Sequence, residues 1–198
     1  VLDPADGTIF FTDPTYGMLE KSRFCDQFSC ETGQFYLDAV TESGILGVYK
    51  VDRKTKNVEL VTDLHHRPNG IGLFGDTLWV ADSTNFMPSW TSYDVGGETL
   101  TSKASSVINR QSLGVNIGRM GQPLTGGEGL ADGFKIDEQG LIWTSIPNGF
   151  AVIDPSSQEV VCQILLGINT SNLAFGNNGD VWLTGFNSVW KISRKIVA

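Results

Sequence analysis

Apolar and polar residues alternate along this chain in short runs punctuated by Gly-containing turns. No apolar stripe recurs at the 3.6-residue spacing over helical length. Four runs share one frame: ADGTIFFTDP (5–14), FGDTLWVADS (74–83), EQGLIWTSIP (138–147) and NNGDVWLTGF (177–186). Each opens on a tight turn, continues through apolar or aromatic residues and closes on a small polar one, which predicts a short buried strand reached from a hairpin. Upstream of three of these turns stands a partner strand with a polar opening: PNGIGLF (68–74), ADGFKID (131–137) and SNLAFG (171–176). Asn69 precedes Trp79 by ten positions, Asp132 precedes Trp143 by eleven, and Asn172 precedes Trp182 by ten. The polar residue therefore belongs to the repeat. Counting ten back from Phe10, the matching position in the first run falls just ahead of Val1.

Two further strands follow the hairpin in at least two units, GVYKVDR with NVELVTDL (47–64) and GFAVIDP with EVVCQILL (149–166). Four short antiparallel strands per unit is the pattern of a propeller blade, so the expectation is an all-β fold of about four blades. A β-sandwich also alternates and turns at this spacing but does not require a repeated four-strand frame. Residues 18–43 and 110–127 interrupt the period as insertions, and loops of that length serve as lids or specificity elements or are disordered. The whole chain, 1–198, reads as a single propeller domain. The large aromatics at the repeated position, Trp79, Trp143 and Trp182, together with Trp190, are expected to pack between blades.

Composition narrows the partners. With 22 acidic and 14 basic residues the formal net charge is −8, and no Lys/Arg cluster is longer than a pair. That excludes binding driven by basic patches to nucleic acid or an anionic membrane. A small molecule or a cation is the expected partner. The chain starts VLDPADG without methionine, which reads as an internal cut. Cys25 and Cys30 share one polar loop and are either paired or free, Cys162 in EVVCQILL is expected as a core thiol, and His65 and His66 as a loop-exposed pair.

The ordered set GTIFFTDPTYG, GVYKVD, RPNGIGL with TLWVADS, and ADGFKIDEQGLIWTSIPNGFAVIDP with TSNLAFG resembles the downstream two-thirds of the gluconolactonase, senescence marker protein and luciferin-regenerating-enzyme family. The resemblance implies a β-propeller of the six-bladed type whose first blades precede Val1, a divalent cation, usually calcium, at the mouth of the central channel, and hydrolysis of lactones or related esters. In that family a first-blade Glu, the Asn of a Pro-Asn-Gly motif and the Asp of a Pro-Asp-Gly motif hold the metal, and a further Asn helps hold substrate. Carried over by motif, the two ligands within this chain are Asn69 and Asp132, with Ala131 in place of the second proline. The Glu and the further Asn would lie upstream of Val1.

In a propeller the innermost strands ring a channel, so side chains opening successive blades converge although distant in sequence. Asp and Asn oxygens suit calcium, and the lack of paired His or Cys disfavours zinc or copper. Asp132 is the candidate general base. Asn172, Glu128 and Tyr16 are candidate substrate-binding residues. An Asn or Asp before Gly is also an ordinary turn residue that tolerates left-handed backbone. The other functional readings are a non-catalytic propeller that binds a ligand or a partner protein, and a strictosidine-synthase-like propeller, against which the motifs around Asn69 and Asp132 weigh.

Overall fold

The computed structural model describes residues 1–14, 45–83, 88–96, 106–109, 131–146, 149–185 and 187–193. Both insertions, with Cys25, Cys30 and Tyr16, and the loop that carries Glu128 lie outside these residues. The chain divides into two units, Val1–Pro68 and Asn69–Ala198.

The first unit holds one three-stranded antiparallel sheet, β1 (Ile9–Thr12), β2 (Val48–Val51) and β3 (Val58–Thr62). Phe10, Val48 and Val61 are its buried apolar positions. Between β2 and β3 the Asp52 carboxylate accepts the N–H groups of Lys54 and Thr55, both at 2.7 Å. These bonds hold its pKa below the usual carboxylate range. His65 is buried and His66 exposed, so the expected exposed pair is corrected to a split one. The chain is no longer in β3 here, but consecutive side chains still diverge.

The second unit contains three antiparallel meanders. The first is β4 (Pro68–Phe74), β5 (Thr77–Asp82), β6 (Ser89–Asp94) and β7 (Ser106–Asn109). The next is β8 (Phe134–Ile136), β9 (Ile142–Ile146), β10 (Gly149–Asp154) and β11 (Glu159–Leu165), and the last is β12 (Thr170–Phe175), β13 (Val181–Gly185) and β14 (Val189–Ile192). In each, sequence neighbours are sheet neighbours. The hairpin from β8 to β9 shows how local sequence closes such a turn. Gly140 takes the left-handed φ of +83°, while Asp137 accepts the N–H groups of Gln139 and Leu141 and, at 2.7 Å, the indole N–H of Trp143.

Period-two alternation explains how the sheets pack. Along β10, Ala151 and Ile153 join Trp79, Ala81, Trp90 and Ile108 of the first meander, while Phe150 and Val152 join Leu173, Val181 and Leu183 of the third. β10 is thus buried on both faces, as the unbroken apolar run GFAVI requires. Each large side chain so enclosed contributes roughly 1.5–3 kcal/mol. A polar contact ties the first two meanders as well, because the Trp90 indole donates to Thr144 Oγ1 at 3.1 Å inside this core.

The edges differ from expectation. Cys162 is exposed, not a core thiol. It lies on β11, the outer strand of its sheet, where a bulge opposite Val152 and Ile153 leaves Val161 60% exposed. Of the aromatics expected between sheets, Trp79 is buried, and Trp143 is partly buried edge-on to Phe175. Trp182 and Trp190, on β13 and β14 of the last meander, stay exposed.

Candidate functional site

The openings of β4, β8 and β12 lie against one another in that order. A Cβ added to Gly70 would come 2.2 Å from the backbone oxygen of Asp132, and one added to Gly133 would come 2.5 Å from Cγ and Oδ1 of Asn172. Neither glycine has a positive φ, nor do Asn69 and Asp132. The Asn-Gly and Asp-Gly pairs are therefore not left-handed turns. Glycine is needed so that one strand opening can rest on the next, and Gly133 N–H donates to Ser171 O at 2.7 Å across that seam.

Asn69 and Asp132 are brought together directly. The Asn69 amide donates to the Asp132 carboxylate, and its Nδ2 also donates to Ser83 Oγ at 3.0 Å. Ser83 in turn donates to Ala131 O at 2.6 Å. Because the one hydroxyl proton is committed to a carbonyl, Ser83 Oγ accepts from Asn69, and the arm of the amide facing it must be nitrogen. The Asn69 amide is fixed in one sense, with Oδ1 on the arm away from Ser83.

The backbone beneath Asp132 is braced in the same way. Its N–H donates to Ser145 Oγ at 3.2 Å, and Ser145 Oγ donates to Gly133 O at 3.2 Å. Ser83 and Ser145 are both buried. They are the small polar residues that close β5 and β9, visible in the sequence as strand endings, and their partners emerge only once β4 and β8 are side by side.

Burial pushes the Asp132 carboxyl above its ordinary pKa, and the hydrogen bonds from Asn69 and from the Gly133 N–H oppose the shift. The turn aspartates differ: Asp52 and Asp154 are solvated and are held low by hydrogen bonds. Asp132 is a partly desolvated carboxylate with an amide beside it. Such a group gains from a nearby positive charge.

Asn172 sits against Gly133, one residue from Asp132, but its oxygen is engaged. Oδ1 accepts Leu173 N–H at 2.8 Å and the Lys135 ammonium at 3.2 Å. Lys135 also donates to Phe134 O at 3.0 Å, and partial burial lowers its pKa. Lys135 was not among the sequence candidates. A basic residue three positions after Asp132 in ADGFKID was its signal.

The donors present suit a hard cation. Asn69 and Asp132 supply amide and carboxylate oxygens, with a single charge that burial leaves undercompensated. Among the described residues no group of three His, Cys, Asp or Glu side chains gathers to hold a metal, at this opening or at any other.

Comparison with known proteins places the chain. The gluconolactonase of Zymomonas mobilis subsp. mobilis is 24% identical over 196 residues, covering 96% of this chain and 48% of that protein. The lactonohydrolase oryH of Aspergillus oryzae is 24% identical over 153 residues, covering 72% of this chain and 32% of that protein. A solved gluconolactonase of Xanthomonas campestris superposes with a TM-score of 0.66 at 23% identity, over 95% of this chain and 54% of that one. That likeness shows the fold, a β-propeller of the six-bladed type, with the four sheets of this chain as blades. The chain spans about half or less of the length of the curated relatives it matches. Residues 3–185 match the model of the SMP-30/Gluconolactonase/LRE-like region, and the chain belongs to that family.

Proposed function

We propose that this member of the SMP-30/gluconolactonase family hydrolyses a lactone or related ester with the help of a divalent cation, and that Asn69 and Asp132 are part of the centre that does so. The observation that carries the reading is the contact between the Asn69 amide and the partly desolvated Asp132 carboxylate, at the openings of strands from two different sheets. Asn69 through Oδ1 and Asp132 through its carboxylate would hold the ion. Calcium is the ion that an all-oxygen donor set favours. When bound, it supplies Lewis-acid stabilisation of the charge that develops on the ester carbonyl oxygen.

The chain's own residues supply the rest. Asp132 accepts the proton of the attacking water as the general base. Ser83 holds the Asn69 amide in the sense that offers oxygen, and Ser145 holds the Asp132 backbone in place. Glu128, four positions before Asp132, and Tyr16, four positions after β1, remain proposed contacts to the substrate.

Hydrolysis of δ-gluconolactone by the intact protein tests the reading, followed by acid release with and without a chelator. Asp132→Ala is expected to lose about 10²–10⁴-fold in rate, the usual contribution of a general base. Undiminished activity in that variant, or hydrolysis indifferent to the chelator, contradicts it.

A further inference from the structure

The two asparagines that open β4 and β12 occupy the same position of the repeat, and their hydrogen bonds set them in opposite senses. At Asn172 both partners of Oδ1 are pure donors, a backbone N–H and an ammonium. Turning the amide over would place an –NH2 group against both. The sense is therefore dictated by the partners, and both lone pairs of the carbonyl oxygen are occupied. Among the described residues Nδ2 of Asn172 makes no hydrogen bond, and the residue is exposed beside Gly133. What Asn172 presents at this opening is a pair of N–H donors.

A cation ligand needs the opposite arm. Offering Oδ1 of Asn172 to a metal would require it to give up Lys135 or to bring a divalent ion against an ammonium, and like charges at such range repel. We infer that Asn172 is a hydrogen-bond donor to an oxygen of the bound ligand, a hydroxyl or carbonyl of an oxygen-rich lactone or of its ring-opened acid, and that Lys135 is the positioning residue that holds it in this sense. The inference rests on the lactonase reading for the class of ligand. The amide orientation does not depend on it.

Lys135 acts through Asn172, so the two substitutions must fail to add. A double-mutant cycle with Lys135→Met and Asn172→Ala in the intact protein tests this. Each single variant is expected to weaken binding of D-gluconate, the probe, by about tenfold, the scale of one lost hydrogen bond. The double variant should be no weaker than Asn172→Ala alone, and Lys135→Arg, which keeps the donors, should restore most of the loss. KM for δ-gluconolactone should follow gluconate affinity while kcat stays within about twofold, as expected for a contact equal in ground and transition states.

Two readouts do not need activity. The side-chain amide 1H–15N signals of Asn172, assigned by their loss in Asn172→Ala, should shift in Lys135→Met before any ligand is added, and should move again with gluconate in the parent. Calcium affinity by calorimetry should be the same in Asn172→Ala as in the parent. A tenfold loss of calcium affinity in Asn172→Ala, additive losses in the cycle, or amide signals indifferent to Lys135→Met each overturn the inference. A protein that binds gluconate through Asn172 but hydrolyses no lactone overturns the proposed function and leaves this inference standing.

Discussion

At the opening of β4 the Asn69 amide directs its N–H groups to Ser83 and to the Asp132 carboxylate, whereas at the opening of β12 Asn172 buries its oxygen under two donors and turns its N–H groups outward. The residue type and the place in the repeat are the same. The neighbours differ, a buried serine with its proton committed in one case and a lysine in the other. An asparagine is a ligand or a donor according to what saturates its other arm, and repeat position alone does not decide which.

The largest effect expected from disturbing this arrangement comes from the glycines that let the openings touch. Gly70→Ala drives a Cβ into the Asp132 backbone oxygen, and Gly133→Ala drives one into the Asn172 amide and Ser171 O. Each should cost about 1–3 kcal/mol of stability, as overpacking does, and lower the Tm measured by calorimetry. The Gly70 variant should be the worse of the two, since its backbone obstacle, Asp132 O, lies nearer than Ser171 O does to the Cβ at 133. An unchanged Tm in both would mean that the strand openings do not rest on each other.

Ser83→Ala targets one side of the comparison alone. It removes one of the two acceptors that hold the Asn69 amide, the Asp132 carboxylate being the other, and leaves Ala131 O without its donor, at roughly 1–2 kcal/mol. Calcium affinity should fall about tenfold while gluconate contacts at Asn172 stay intact. Equal loss at both would show that the two openings respond as one.

The smallest effect is a gain. Burial raises the pKa of Asp132, so the fold favours its protonated form, and the stability attached to that preference is complete below the unfolded carboxyl value and lost as pH rises through the folded one. Asp132→Asn removes the penalty. Without calcium it should melt slightly above the parent at neutral pH, and the difference should close as the pH is lowered and the parent's carboxyl protonates. A difference that widens toward acid would reverse the sign of the shift.

Much of this was legible in the sequence. The frame of turn, aromatic strand and polar ending places β4 with β5, β8 with β9 and β12 with β13, because period-two alternation and Gly turns are local signals. The convergence of Asn69 and Asp132 follows from the repeat. Less legible were the residues that set their orientation: Ser83 meets Ala131 across 48 positions and Lys135 meets Asn172 across 37. Cys162 misled because an apolar run on an outer strand with a bulge reads like one in the core. Trp182 shares its frame position with the buried Trp79, yet burial is set by what covers a sheet and not by the strand's own pattern.

Calcium titration of the intact protein by calorimetry, with Asn69→Ala and Asp132→Ala beside the parent, tests the account most directly. The account predicts one site in the parent and loss of that site in both variants. A parent that binds no calcium, or variants that bind it as the parent does, would contradict the claim that these two side chains hold a cation between the openings of two sheets.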